Sequence, residues 1–125
     1  MLADKQIGLL GLAFKANTDD IRYAPALSLI RQLQAAGAHV RAYDPRAMEK
    51  TRELIPDVRY GPGPYEVAEH ADALMIVTDW NEFRELDWEQ VRDRMNRPLL
   101  LDGRNLLDPV RMKALGFEYY SLGRP

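Results

Sequence analysis

Leu74-Met75-Ile76-Val77 and Leu99-Leu100-Leu101 decide the fold. Successive side chains on a strand point to opposite faces, so a strand with one wet face alternates apolar and polar residues. These two runs do not alternate. Continuous apolar stretches of this length, rich in branched residues, are the pattern of parallel strands covered on both sides. With their flanks these two runs extend over Ala73 to Thr78 and Pro98 to Leu101, and working outward, further runs of strand length lie at Ile7 to Leu12, His39 to Tyr43 and Phe117 to Ser121, each followed or preceded by a helix-length segment. The alternation predicts an α/β protein with a doubly wound parallel sheet of about five strands.

Local punctuation supports the helices between them. Pro25 suits a first helical position and Gly37 a helix end, with Ala26, Leu29, Ile30, Leu33 and Ala36 on one face. Asp87, three residues ahead of Gln90, reads as a variant of the capping box, followed by an apolar stripe of Trp88, Val91 and Met95. Asp44-Pro45 and Asp108-Pro109 both place a capping acid before a helix-starting proline, and Gly116 closes the last helix. Tyr60-Gly61-Pro62-Gly63-Pro64 is an internal loop leading into a helix from Tyr65 toward His70.

The 125 residues suffice for one domain, residues 1–125, and not for two cofactor-binding domains. A net charge of -2 gives no basic excess for nucleic acid, and the apolar run near the start is too short and wrongly flanked for a membrane span or a signal peptide. A cytoplasmic protein is the simplest expectation. With no cysteine, disulfides and thiolate catalysis are excluded. His39 and His70 lack a partner pattern for zinc or a triad. No catalytic residue and no metal ligand is assigned.

Candidate binding residues lie where strands end. Gly8-Leu9-Leu10-Gly11-Leu12-Ala13-Phe14-Lys15 leaves the first strand with a glycine and a lysine, as a phosphate site would, but without the G-x-G-x-x-G spacing or a Walker A context. A plain strand-to-loop turn explains it equally. Asp19 and Asp20 fit loop ordering better than a metal site, and Arg22 either meets a phosphate or pairs with one of them. Asp44 stands where an acid often meets a ribose, yet capping the next helix explains it without a ligand. Arg104, in Asp102-Gly103-Arg104-Asn105, grips an anion at the sheet's carboxyl edge or pairs with Asp102 or Asp108. Trp80, Phe83 and Trp88 read as packing.

Gly11-Leu12-Ala13-Phe14-Lys15-Ala16-Asn17-Thr18-Asp19-Asp20-Ile21-Arg22 strongly resembles the UDP-glucose and GDP-mannose dehydrogenase family at the entry to its C-terminal domain. The likeness continues through Ala24-Pro25, Gly37-Ala38, Ala42-Tyr43-Asp44-Pro45, Ala71-Asp72-Ala73-Leu74, Thr78-Asp79-Trp80, Asp102-Gly103-Arg104-Asn105 and Gly116-Phe117-Glu118-Tyr119. Thr78-Asp79-Trp80 with Glu82-Phe83, together with Asp102-Gly103-Arg104-Asn105, is more similar to the UDP-glucose branch than to the GDP-mannose branch. Tyr23, where the family often has an acid, and the Gly61-Pro62-Gly63-Pro64 loop depart from the pattern.

The resemblance implies a Rossmann-like, three-layer α/β/α domain that closes over the UDP end of a UDP-sugar. Its partners would be an N-terminal NAD-binding domain and a central domain of the same enzyme, and the catalytic cysteine would lie outside this chain. By motif position Phe14 and Lys15 would contact the UDP-sugar, Arg104 its nucleotide part, and Arg22 would reach across the interdomain cleft toward the NAD phosphates. A stand-alone nucleotide-binding or regulatory module, a domain acting on another nucleotide sugar, and a receiver-like or flavodoxin-like domain are the rival readings.

Overall fold

A computed structural model describes residues 2–22 and 24–121, so Tyr23 lies outside the described residues. Six strands form one sheet: β1 (Gln6–Leu10), β2 (His39–Tyr43), β3 (Arg59–Tyr60), β4 (Ala73–Ile76), β5 (Leu99–Asp102) and β6 (Glu118–Ser121), in the order β3-β2-β1-β4-β5-β6. Every neighbouring pair is parallel. The expected parallel α/β sheet is present. Its sixth strand, β3, is a two-residue pairing of Arg59 and Tyr60 with Arg41 and Ala42, too short to stand out against the glycine-proline loop it enters.

Helix α1 (Pro25–Ala35) follows β1, and α2 (Met48–Leu54) follows β2. On one face, Ala26, Ile30 and Leu33 of α1 pack with Ile7, Leu9, Val40 and Ala42, joined by Ala47, Ile55 and Val58 from the α2 region. Leu29 is only partly buried and Ala36 is exposed, so the apolar stripe is narrower than the spacing suggests. Gly37 closes the α1 end at φ +90, a conformation that costs a residue with a Cβ roughly 1 kcal/mol or more.

The opposite face carries α3 (Pro64–Ala68), α4 (Asn81–Arg84), α5 (Trp88–Arg94) and α6 (Pro109–Ala114). Val67, Phe83, Trp88, Val91 and Met112 from these helices meet Leu10, Leu74, Ile76 and Leu100 in the larger core. Trp80, Phe83 and Trp88 are core residues, as read from the sequence. Asp87 and Asp108 cap α5 and α6 by accepting from the Gln90 and Val110 amides. Asp44 does not cap α2 directly. The helix begins at Met48, and the Asp44 carboxylate instead caps the turn between, accepting from the Arg46 and Ala47 amides at 2.8 and 2.9 Å.

Candidate functional site at the carboxyl edge

The strand order reverses between β1 and β4, and the chain leaves these two strands toward opposite faces, to α1 and to α4. In open parallel sheets a crevice opens at the carboxyl ends on such a reversal, and ligands gather there. The loops concerned are Gly11 to Lys15 after β1, Val77 to Trp80 after β4, and Gly103 to Asp108 after β5. Phe14, Lys15, Arg22 and Arg104 therefore all stand on loops issuing from the same edge.

The first loop is built from beneath. Gly11 sits at φ +103, and a Cβ there would lie 2.5 Å from Thr78. The close approach that glycine permits is thus taken by protein and not left open as a dinucleotide cradle. Thr78 Oγ1 donates to the Ala13 carbonyl at 2.8 Å, and the Phe14 amide donates to Asp20 O at 2.7 Å. Asp44, with no exposed surface, supplies the anchor. Its Oδ2 accepts from the Leu12 and Ala13 amides at 2.7 and 3.0 Å and from Trp80 Nε1 at 3.1 Å. One carboxylate ties the β1, β2 and β4 loops together, and the ribose role considered for Asp44 has no free oxygen face to use.

Above that support, Phe14 is 45% exposed and Lys15 is exposed. An apolar ring and a cation thus project from a backbone that is held in place. An aromatic face and an ammonium at a sheet's carboxyl edge suit a planar base or sugar next to a phosphate.

Arg104 approaches from the β5 loop. Its guanidinium lies 3.7 Å from Asp79 on the β4 loop, a partner different from the Asp102 and Asp108 considered from spacing. Asp102 is nearly fully buried and organises the loop itself, accepting from the Arg104 and Leu107 amides and from the Tyr119 hydroxyl at 3.1, 2.9 and 2.7 Å. The pairing of Arg104 with Asp79 is long and partly exposed, so an incoming anion competes for the guanidinium at little cost.

Arg22 is engaged within its own loop. It pairs with Asp20 at 2.9 Å, with Nε as a second donor, and its side chain is 81% exposed. The guanidinium beside it lowers the Asp20 carboxyl to about 2, through the side-chain hydrogen bond first and the Arg22 amide second. Asp19 pairs with Lys50 at 3.2 Å. Both aspartates order the loop, and together with Thr18, Ile21 and Arg22 they line a polar recess.

Sequence reasoning missed the reach of Asp44 to Leu12 and Ala13, and the Asp79 partner of Arg104. Both contacts join segments more than twenty residues apart, and only strand order brings them together. Tyr43, read from sequence only as the end of a strand and part of a family motif, has a hydroxyl that donates to Glu82 at 2.9 Å, and burial followed by that bond raises its ionisation above the ordinary tyrosine range.

Comparison with known proteins agrees with this geometry. The chain is 48% identical over 120 residues to a UDP-glucose 6-dehydrogenase of Rhizobium meliloti (strain 1021), covering 96% of this chain and 28% of that protein. Among solved structures it is similar to a UDP-D-ManNAc dehydrogenase from Pyrococcus horikoshii, with TM-score 0.78 and 34% identity over 98% of this chain and 26% of that one. It is also similar to a UDP-glucose dehydrogenase from Pyrobaculum islandicum, with TM-score 0.74 and 35% identity over 84% of this chain and 23% of that one. The chain thus spans about a quarter of the length of these relatives. The model of the UDP-glucose/GDP-mannose dehydrogenase family, UDP binding domain, matches residues 8–109, which include the Gly11 to Lys15 loop, the Asp44 anchor and Arg104. On this match and these identities, the chain belongs to the UDP-glucose/GDP-mannose dehydrogenase family, as its UDP binding domain.

Proposed function

We propose that residues 1–125 form a single UDP-sugar-binding domain at the C-terminal end of a longer, cytoplasmic UDP-glucose 6-dehydrogenase, which oxidises UDP-glucose to UDP-glucuronate with NAD. The observation that carries this reading is the outward presentation of Phe14 and Lys15 from a loop fastened by Asp44 and Thr78, on the edge that also carries Arg104. Phe14 and Lys15 contact the UDP-sugar, and Arg104 leaves Asp79 to meet the nucleotide part. Arg22, on the exposed Asp20 pair, reaches toward NAD phosphates across the interdomain cleft.

NAD, when bound to the whole enzyme, accepts the hydride from the sugar alcohol. This chain does not fit it as a resident site, because the turn after β1 has its glycine packed on Thr78 and Arg22 is the single contact assigned. Its own residues bind and orient the nucleotide end of the substrate. The domain alone then binds UDP weakly and does not reduce NAD with UDP-glucose.

Calorimetry with UDP tests the binding, using the chain and its Lys15→Ala and Arg104→Ala variants. Each charged contact contributes about 1–3 kcal/mol, so each variant weakens binding by roughly 5- to 150-fold. Arg104→Ala falls toward the lower end because its Asp79 pairing is lost on binding. Equal affinity in all three proteins removes these residues from the site, and sustained NAD reduction by the purified chain overturns the reading of a partial enzyme.

A further inference from the structure

Toward the amino end of the sheet, two arginines stand side by side. Arg41 of β2 and Arg59 of β3 are register partners on neighbouring parallel strands, and Arg41 is also the partner of Gly8, so both arginines belong to the α3 face. Neighbouring strands run about 4.8 Å apart, and like charges at that spacing repel unless a counter-charge joins them. Arg41 uses one nitrogen, Nη1, to donate to the Glu66 and Glu69 carbonyls at the end of α3, both at 2.9 Å. Among the described residues its Nε and Nη2 have no partner, and the exposed Arg59 has neither a hydrogen bond nor an ion pair.

The acids nearby are matched to other cations. Glu66 and Glu69 turn their carboxylates to Arg94, at 4.0 and 3.8 Å. Asp57 pairs with Arg31 at 3.7 Å, and Asp4 faces the His39 ring at 3.4 Å. Two positive charges are therefore left without a carboxylate of their own, in a chain whose net charge is -2. They open on a recess of about 330 Å³ whose lining includes Arg41, Arg59, Gln6, Gln34, His39 and Asp57. A guanidinium presents its N–H groups as a rigid fork that fits carboxylate and phosphate oxygens two at a time. A single carboxylate would neutralise one of the two charges, whereas a phosphate dianion matches both and has oxygens for both forks.

We infer that this recess is a second anion site, which takes a phosphate group between Arg41 and Arg59. It lies toward the amino end of the sheet, away from the carboxyl edge that carries Phe14, Lys15 and Arg104. The phosphate engages Nε and Nη2 of Arg41 while Nη1 stays on α3, and it gives Arg59 the partner that the protein does not supply. Because β3 is held to β2 through only two paired residues, an anion bridging the two strands also fastens the weakest pairing in the sheet. Neither arginine takes part in the proposed UDP site, so the two assignments stand or fall separately.

The test uses the complete gene product with saturating UDP, at constant ionic strength, and inorganic phosphate as the probe. Modification of Arg59 by phenylglyoxal, followed by peptide mass spectrometry, is expected to slow by about five-fold or more as phosphate saturates, with the exposed Arg111 of α6 unchanged. In Arg41→Lys, which keeps the charge but loses the fork, half-protection of Arg59 is expected to need about ten-fold more phosphate, with UDP affinity unaltered. Equal slowing of Arg59 and Arg111, equal slowing by chloride, or unchanged phosphate dependence in a folded Arg41→Lys protein overturns the inference. Should that variant not fold, the contrast between Arg59 and Arg111 in the unsubstituted protein decides. Glucose 1-phosphate, titrated in the same way, separates a free ion from an ester: protection at lower concentration by either one supports the site and identifies its source. An Arg59 already unreactive without phosphate shows the recess covered by another part of the enzyme, and protection by an oligoglutamate peptide at lower concentration than by either phosphate assigns it to an acidic protein segment; each of these results also overturns the inference.

Discussion

Replacing Asp44 by asparagine removes one negative oxygen and leaves the volume unchanged, so its cost comes from hydrogen bonding. Oδ1 faces two donors, the Arg46 and Ala47 amides, and Oδ2 faces three, from Leu12, Ala13 and Trp80. Whichever oxygen becomes an NH2 group, donor meets donor at two positions or more. The cheaper orientation keeps the oxygen toward Leu12, Ala13 and Trp80 and turns the NH2 toward Arg46 and Ala47. One buried donor, the Ala47 amide, and one part-buried donor, the Arg46 amide, then lose their acceptor, at about 1–3 kcal/mol each with Arg46 at the lower end. Relief from burying a charge offsets part of this, leaving a loss of about 2–4 kcal/mol. For a domain of this size each kcal/mol is worth roughly 3–4 °C, so the melting temperature falls by about 10 °C. Because the binding loop keeps its acceptor in that orientation, UDP affinity below the new melting point stays within about three-fold of wild type, where 1.4 kcal/mol would be ten-fold. Asp44→Ala, which releases all five donors, lowers stability further and loosens Phe14 and Lys15. Thermal and urea unfolding of both variants, with UDP calorimetry on Asp44→Asn, check the scheme. An Asp44→Asn protein melting within about 2 °C of wild type would refute the account of Asp44 as the shared anchor.

Gly11→Ala combines a left-handed backbone with a Cβ set 2.5 Å from the Cβ, Oγ1 and backbone nitrogen of Thr78, and is expected to destabilise by about 2–4 kcal/mol in chemical unfolding; a variant as stable as wild type would contradict this close approach. Asp20 is expected to titrate near 2 by NMR, and Arg22→Ala to return it toward the ordinary carboxylate value of 3.8. Since its folded value is depressed, the Asp20–Arg22 pair contributes fully above the unfolded value near 4 and is lost as pH falls through about 2. An Asp20 midpoint indifferent to Arg22 would contradict the pairing.

Some of this molecule was determined by sequence alone. Unbroken apolar runs at Leu74 to Val77 and Leu99 to Leu101 specify parallel strands, and Pro25, Asp87, Asp108 and Gly116 mark helix ends through contacts within a few residues, where local chemistry suffices. The string from Gly11 to Arg22, and the placing of Phe14, Lys15 and Arg104 at strand ends, were legible for the same reason. Tertiary structure decided the rest. Asp44 looked like a helix cap because its near neighbours allow that reading, and it became the anchor of the site only when the β1 and β4 loops arrived beside it. Arg104 had two nearby acids to choose from in sequence and instead faces Asp79, because β4 and β5 are adjacent in the sheet.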